Sequence, residues 1–202
     1  MRFLPQNYYH VYNRGNDRQR IFLEAENYRF FLCRLRDYLI KGDSELVAYC
    51  LIPNHFHLIV YLEDCLDFSN VLRRFTSCYV KSINKRYGRV GYLFQGNTRS
   101  KLIDTEEYLF HLCRYIHLNP VAAGLVVSPE EWKYSDYREW ISDSLEADSP
   151  IRRTRGAYVS SGEGYERFVK DYAAAERVRE EIESKLSERP CRSPSSTDER
   201  SM

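Results

Sequence analysis

The order of the apolar patterns along the chain predicts an α+β protein built around an antiparallel sheet. Three observations support this prediction. Aromatic and β-branched segments alternate between two faces, longer segments between them carry apolar residues at helical spacing, and turn residues mark the boundaries. Read in order, these segments give β-α-β-β-α-β and then further helices. That order is the ferredoxin-like arrangement, an antiparallel sheet with two crossover helices and, here, additional C-terminal helices.

The first half of the pattern comprises a strand, a helix and a hairpin. Residues 8–13 are aromatic and β-branched and run into a Gly-Asn-Asp turn, so they predict the first strand. Residues 24–41 carry an apolar stripe at helical spacing and predict a helix that stops at a Gly-Asp pair. Residues 45–52 and 55–62 are strand-like and are separated only by a Pro-Asn turn, which predicts a hairpin.

The second half begins with a long helix that Ser69 is expected to cap and that ends near Gly88. Residues 99–103 predict the fourth strand. The Asp-Thr-Glu-Glu sequence at 104–107 offers a capping box for a helix that reaches about Leu118.

Beyond residue 125 the pattern weakens, and the chain is expected to divide into three parts. Residues 1–140 form the main domain, and aromatic residues at 132–137 dock its end. Residues 141–187 form an extension, with a polar loop over 142–162 and a helix over 164–186. The polar residues 188–202 predict a disordered tail.

Composition excludes several classes of protein. The chain has 202 residues and 43% hydrophobic residues, enough for one domain with a real core. None of its six cysteines forms a C-x-x-C pair, so the sequence indicates neither a zinc ribbon nor a thioredoxin-type site. Its start lacks the apolar segment of a signal peptide, and no apolar run is long enough to cross a membrane. We therefore expect a cytoplasmic protein.

The most informative motif is His55-Phe56-His57 within the third predicted strand. Side chains two residues apart on a strand share a face, so both imidazoles can reach one divalent cation. The alternative is a pair of half-buried histidines that bond to backbone or water.

A basic window provides a second signal. Residues 68–103 contain eight Lys or Arg residues and no acidic residue. Such a window is typical of a surface that meets phosphates, although a solvated helix face would also account for it. We expect contacts with nucleic-acid phosphates from this window and from one earlier arginine, with Gln95 near a base edge. The expected contact residues are Arg14, Arg73, Arg74, Lys81, Lys85, Arg86, Gln95, Arg99 and Lys101.

The third signal is the pair Tyr115 and Asn119, which share one face of a helix because they are four residues apart. A tyrosine phenol can attack a phosphodiester and hold the product as a phosphotyrosine. With a pKa of about 10 it is a poor nucleophile at neutral pH and benefits from a nearby metal. Asn119 is either a metal ligand or, since Pro120 follows it, only the N-cap of a new helix.

With these residues in view, the chain resembles the HUH single-tyrosine transposases, whose motif is two histidines flanking an apolar residue. The similarity extends from residues 51–60 to 9–16, 93–101, 114–125 and 132–137, in consistent order over roughly residues 5–140. Within that family the chain looks like the REP-associated tyrosine transposases, which act on palindromic hairpins in bacterial genomes. One departure lies at residues 95–99, where relatives often carry a more aromatic or basic stretch, and it bears on hairpin preference.

The resemblance implies an enzyme, a DNA transposase or single-strand nickase that depends on Mg²⁺ or Mn²⁺. His55 and His57 carry over as metal ligands, Tyr115 as the nucleophile and Asn119 as a third ligand. Family members cut single-stranded DNA through a 5′-phosphotyrosine and leave a 3′-hydroxyl, without ATP.

Two other functions stay open at this point. One is a hairpin-DNA-binding protein that has lost catalysis. The other is a metal-dependent protein of a different class: a nuclease that uses water, or a hydrolase or structural metal protein unrelated to DNA. The expected partner is single-stranded or hairpin DNA. The protein itself is a monomer or a homodimer, and its tyrosine acts in its own chain or in a partner.

Overall fold

The computed structural model of the protein describes residues 3–40, 44–64, 67–146, 149–171, 182 and 184. Its centre is one four-stranded antiparallel sheet with the strand order β2-β3-β1-β4. The strands are β1 Asn7–Arg14, β2 Ser44–Ile52, β3 His55–Leu62 and β4 Arg99–Ile103. This topology confirms the predicted ferredoxin-like α+β fold, and the bounds of β3 and β4 are those predicted.

Both faces of the sheet are covered, which explains why β3 is apolar along almost its whole length. Phe56 and Leu58 point to one face and belong to one buried cluster. Ile59 points to the other face and belongs to a second buried cluster. His57 lies two residues before Ile59, so it shares the second face.

Two helices cover the first face: α1, Ala25–Leu35, and α2, Phe68–Arg86. The predicted first helix is wound differently at its end, because residues 36–40 form a π-helical turn across which Leu35 and Leu39 are both buried. The predicted residue 41 lies outside the described residues.

The start of α2 differs from the prediction. Asp67, in a left-handed conformation with φ 64°, precedes the helix, and Ser69 lies inside the first turn rather than capping it. Phe68 explains the earlier start, because its ring is buried at 4.8 Å from the ring of Phe3.

Helix α3, Glu106–Ala122, covers the second face. The predicted capping box over 104–107 is replaced by a single cap: the Thr105 hydroxyl accepts the Tyr108 N–H at 3.1 Å, and because Thr105 is the N-cap, Tyr108 rather than Glu107 occupies the third helical position. The helix does not end near residue 118. It continues through Pro120, and the Asn119 carbonyl accepts the Ala123 N–H at 2.9 Å. The interpretation of Asn119 as the N-cap of a new helix is therefore wrong, because Asn119 lies inside α3.

The segment after α3 docks on β2, as its aromatic pattern predicted. The Trp132 indole donates to the Leu51 carbonyl at 2.9 Å, and the Leu51 N–H donates to the Tyr134 carbonyl at 2.9 Å. Three short helices follow: α4 Tyr137–Trp140, α5 Pro150–Gly156 and α6 Gly162–Lys170. Helices α4 and α6 pack against α3, and α5 packs against β2.

The presence of α5 corrects the prediction of a loop over 142–162. Pro150 opens this helix, where its fixed φ favours helical backbone and its missing N–H costs nothing. Arg155 is buried at the other end and donates to the Trp140 and Ser142 carbonyls at 2.7 Å. These long-range contacts are invisible in the local sequence.

The helix predicted over 164–186 begins earlier, at Gly162, and ends at Lys170, because the backbone of Asp171 leaves helical geometry with ψ 82°. Apart from residues 182 and 184, the part of that predicted helix beyond residue 171 and the whole predicted tail 188–202 lie outside the described residues. The division into 1–140 and 141–187 stays a prediction. Within the described ranges, no helix combines the length and apolar character needed to cross a bilayer.

Candidate active site

Two histidines of β3 form the base of the candidate active site. His55 and His57 lie on the sheet face that α3 covers, and their rings are 5.0 Å apart and perpendicular at 89°. His57 is buried, with 6% of its surface exposed, whereas His55 is partly buried at the end of the strand. The alternation of the strand thus places both imidazoles on one side.

Helix α3 lays Tyr115 and Asn119 over this pair. The Tyr115 ring lies 5.8 Å from the His57 ring, edge to face. One helical turn further on, the Asn119 Oδ1 lies 2.8 Å from the His55 Nε2. The four side chains predicted from sequence to form the catalytic centre therefore converge on one spot.

Burial keeps both strand histidines neutral. It is the main cause that lowers the pKa of His55, to which the charge of Arg14 adds. The pKa of His57 is well below its usual range, first because of burial and then because of its neighbours His55 and His10. Neutral imidazoles carry the unprotonated nitrogen that a metal ligand requires.

The contacts of His55 fit a divalent cation. Its Nδ1 lies 2.9 Å from the Asn54 Oδ1, and its Nε2 faces the Asn119 Oδ1. A neutral imidazole has one N–H and can donate to only one of these oxygens. If Asn54 accepts it, two lone pairs face each other across 2.8 Å. Neighbouring ligands of an octahedral Mg²⁺, with bonds of about 2.1 Å, lie about 3 Å apart.

The candidate donor set is therefore two imidazole nitrogens and one amide oxygen. Within the part of the chain that the structure describes, no three His, Cys, Asp or Glu side chains are grouped as a metal site. A third protein ligand would therefore have to be of another type, and the Asn119 amide is the candidate that contacts His55.

Two residues of this centre escaped the sequence reasoning. The sequence predicts only a turn at Asn54, yet the Asn54 Oδ1 lies 2.9 Å from the His55 Nδ1. His10, fully buried on β1, places its Nε2 2.9 Å from the His57 Nδ1. Burial, with a contribution from the charge of Lys101, lowers the pKa of His10 to about 3. Only the pairing of β1 with β3 brings His10 to His57, so no local signal could reveal it.

Part of the predicted DNA-contacting set lies around this centre. Arg14 is paired with His55 across β1 and β3, Arg99 is opposite Tyr12 and Lys101 is opposite His10, so all three share the face of the histidines. We call Arg14, Arg99 and Lys101 the active-face cations. Gln95 joins them, because its Oε1 accepts the Arg14 Nε–H at 2.5 Å and its backbone N–H donates to the Arg14 carbonyl.

The rest of the predicted set lies on the other side of the sheet. Helix α2 turns its apolar residues to the first face and leaves a row of basic residues exposed. We call them the α2 cations: Arg73, Arg74, Lys81, Lys85 and Arg86. Three of them have contacts within the protein. Arg86 pairs with Glu24 at 2.6 Å and with Glu26 at 2.5 Å. Arg73 donates to the Asn70 Oδ1 at 3.1 Å, and the Arg74 guanidinium lies 5.9 Å from the centre of the Tyr38 ring. The basic window is therefore two surfaces, and DNA binding by either stays a prediction.

A buried polar network holds α3 from behind. His117 Nε2 lies 3.0 Å from the Asp136 Oδ1, and His117 Nδ1 lies 2.7 Å from the Tyr165 hydroxyl. Asp136 also accepts the Tyr49 backbone N–H and the Trp140 indole N–H. The network ties the helix of Tyr115 to β2, α4 and α6, and sequence reasoning did not anticipate it.

Comparison with known proteins agrees with the geometry. A family model described as "Transposase IS200 like" matches residues 4–119, more than half of the chain. A protein of Haemophilus influenzae, named provisionally as a REP-associated tyrosine transposase, is 27% identical over 103 residues. That match covers 46% of this chain and 58% of the relative, so the chain spans about three fifths of the relative's length.

A solved structure has the same fold. It is a REP-associated tyrosine transposase bound to a REP hairpin, and it matches with a TM-score of 0.60 and 19% identity over 71% of this chain and 84% of its own. The resemblance seen in the sequence motifs is confirmed: the chain belongs to the IS200-like transposase family and is similar to its REP-associated tyrosine transposases.

Proposed function

We propose that the chain is a metal-dependent single-stranded DNA endonuclease and strand transferase that cleaves at or near DNA hairpins through a 5′-phosphotyrosine. The observation that carries this proposal is the position of Tyr115, which α3 holds 5.8 Å from His57 while Asn119 contacts His55. A nucleophile and three candidate metal ligands thus share one side of the sheet. Family membership supports DNA processing, and the REP hairpin bound to the structural relative supports a hairpin substrate.

Tyr115 attacks the scissile phosphorus with its phenolic oxygen and releases the phenolic proton to solvent. As the new O–P bond forms, the bond from phosphorus to the 3′-oxygen breaks, and that oxygen takes up a proton and leaves as a 3′-hydroxyl. The protein then holds the DNA by its 5′-phosphate. Another 3′-hydroxyl can reverse the step and join a new strand, so transfer needs no ATP.

His55, His57 and Asn119 would hold the Mg²⁺ or Mn²⁺. When bound, the cation offsets the negative charge that develops on the phosphate oxygens during attack. Because the two imidazoles are neutral and the third ligand is an amide, the protein contributes no negative charge to the centre. The phosphate therefore meets the full charge of the cation.

The active-face cations and Gln95 would guide the DNA backbone to Tyr115, and the α2 cations would contact phosphates further away. All four side chains of the centre belong to one chain, so the proposed reaction requires no partner subunit.

The first experiment uses a palindromic hairpin oligonucleotide with single-stranded flanks and a fluorescent label at its 3′ end. In the proposed reaction the labelled fragment becomes attached to the protein when Mn²⁺ is added. Tyr115→Phe should still bind the hairpin but lose both the adduct and the cleaved strand, because it lacks only the attacking oxygen. Tyr8→Phe is a matched control, since Tyr8 is on the same sheet face but its ring packs against the Tyr61 ring, 4.9 Å away and tilted by 50°.

Other outcomes identify the alternatives. Cleavage by the wild type without an adduct indicates a nuclease that uses water. Hairpin binding without cleavage indicates a protein without catalysis. An adduct that persists in Tyr115→Phe keeps the mechanism but moves the nucleophile, and Tyr12 is the first candidate because its ring lies 6.1 Å from His57.

A further inference from the structure

A third histidine lies behind the metal-binding pair and makes a contact that packing alone does not explain. His10 is fully buried, and its Nε2 lies 2.9 Å from the His57 Nδ1, with the two rings within 17° of parallel. The other nitrogen of His10, Nδ1, is buried without a hydrogen-bond partner among the described residues. An apolar side chain would fill the same space without leaving a buried polar atom unsatisfied.

We propose that His10 is a positioning residue that accepts the Nδ1–H of His57 and so keeps the His57 Nε2 unprotonated for the cation. This inference rests on the proposed function, because the residue that His10 would orient, His57, is itself a proposed metal ligand.

The tautomers of His10 and His57 depend on each other, because their rings contact each other through one pair of nitrogens. Each ring carries one N–H, and the two nitrogens that face each other must share a single proton. If His10 donated from Nε2, His57 would carry its own proton on Nε2, where it would block metal binding. If His57 donates from Nδ1, its Nε2 is unprotonated. Only the second arrangement agrees with His57 as a metal ligand.

The second arrangement places the remaining proton of His10 on Nδ1, the buried nitrogen without a partner. An unsatisfied buried donor is unfavourable, so the arrangement needs a compensating interaction elsewhere. Binding of a cation by His57 supplies it. Donation of the second ring nitrogen to a hydrogen-bond acceptor is also the usual way in which a metal-ligating histidine is oriented.

The surroundings hold His10 in the required plane. The ring of Tyr12 stacks on the His10 ring, with 4.7 Å between the ring centres. The centre of the His57 ring lies 5.0 Å from that of His10, and the two ring planes are within 17° of parallel. His10 is therefore fixed by the same sheet that fixes its partner.

The test measures Mn²⁺ binding to the whole protein without DNA, from the relaxation of water protons. His10→Leu should weaken binding about 10- to 100-fold, the usual effect of removing a partner behind a metal ligand. His10→Gln, whose amide oxygen can accept the same N–H, should restore binding close to the wild-type level. Val11→Ala is the control, because Val11 neighbours His10 but is buried on the opposite face. It should lower the unfolding temperature and leave Mn²⁺ affinity unchanged.

A second measurement needs no variant. Long-range ¹H–¹⁵N spectra of the Mg²⁺-saturated wild type, with its five histidines labelled, report which ring nitrogen carries each proton. We expect protons on Nδ1 of both His57 and His10. A proton on Nε2 of His10 would overturn the proposal, and so would His10→Leu with wild-type Mn²⁺ affinity.

The outcomes separate this inference from the proposed function. If the wild type binds Mn²⁺ and forms the DNA adduct while His10→Leu binds Mn²⁺ equally well, only the role of His10 is wrong. If His57→Ala binds Mn²⁺ as tightly as the wild type, the metal site itself is wrong and the role of His10 fails with it.

Discussion

Replacing Asp136 by alanine should reveal how strongly the helix of Tyr115 depends on the buried network behind it. The Asp136 carboxylate is 3% exposed, and its Oδ1 lies 2.8 Å from the Tyr49 backbone nitrogen and 3.0 Å from His117 Nε2. Its Oδ2 accepts the Trp140 indole N–H at 3.2 Å. In Asp136→Ala all three donors lose this acceptor.

How much stability Asp136→Ala loses depends on how many of these donors have a second acceptor. The Trp140 indole also reaches the Val47 carbonyl at 3.2 Å, so it stays bonded. Among the described residues, the Tyr49 N–H and the His117 Nε2 have no second acceptor, and each unsatisfied buried group costs about 1 to 3 kcal/mol. We expect Asp136→Ala to lower the free energy of unfolding by about 2 to 6 kcal/mol. For a chain of this size that loss lowers the unfolding temperature by about 4 to 24 °C.

Asp136→Asn is the matched variant. Its amide oxygen can still accept from Tyr49 and His117, while its NH₂ group faces the Trp140 indole, which keeps the Val47 carbonyl. We expect a loss of about 1 kcal/mol. Urea unfolding of both variants, followed by tryptophan fluorescence and by circular dichroism, measures the difference. If both variants lose the same free energy of unfolding, the reasoning is refuted, because the hydrogen bonds that Asp136 accepts from Tyr49 and His117 would then contribute nothing to stability.

Two further predictions concern pH and salt. In the metal-free protein, the free energy of unfolding should fall as the pH drops below about 6.5. The expected fall is up to about 1.4 kcal/mol per pH unit for each of His10, His55 and His57. The reason is that burial lowers the pKa values of His10, His55 and His57 in the folded chain, so between the unfolded and folded values only the unfolded chain takes up protons. Urea titrations at pH 7 and pH 5 check this, and equal stabilities would contradict it. The salt prediction concerns hairpin binding by two sets of variants, one with the active-face cations neutralised and one with the α2 cations neutralised. In each set, the slope of log affinity against log salt concentration should become shallower by about 0.7 to 0.9 per lost phosphate contact. A slope that only the active-face variants change would confine the DNA to that face of the sheet.

The sequence predicted the sheet well because its signals there are local. The bounds of β3 and β4 agree with the prediction, and those of β1 and β2 differ by one residue at their ends. Alternating aromatic and β-branched residues, bounded by turn residues, depend only on neighbours along the chain. The helical extension was predicted less well, because α5 is held by contacts of Arg155 with carbonyls 13 and 15 residues away.

The chemistry of the candidate site divides in the same way. His55 and His57 share a face by the period of a strand, and Tyr115 and Asn119 by the period of a helix, so each pair was visible in the sequence. That the two pairs meet was implied only by family resemblance. The distances of 2.8 Å and 5.8 Å between them depend on how α3 packs across the sheet.

By itself, the sequence determined the order of the elements, the two residue pairs and the family, because these depend on spacing along the chain. Only the tertiary structure decided that His10 reaches His57, that Asn119 lies within a helix, and that the basic window is split between two faces. Strand register and helix packing arise from the burial of apolar surface over the whole domain, and two residues 47 positions apart, such as His10 and His57, become neighbours only when that burial is complete.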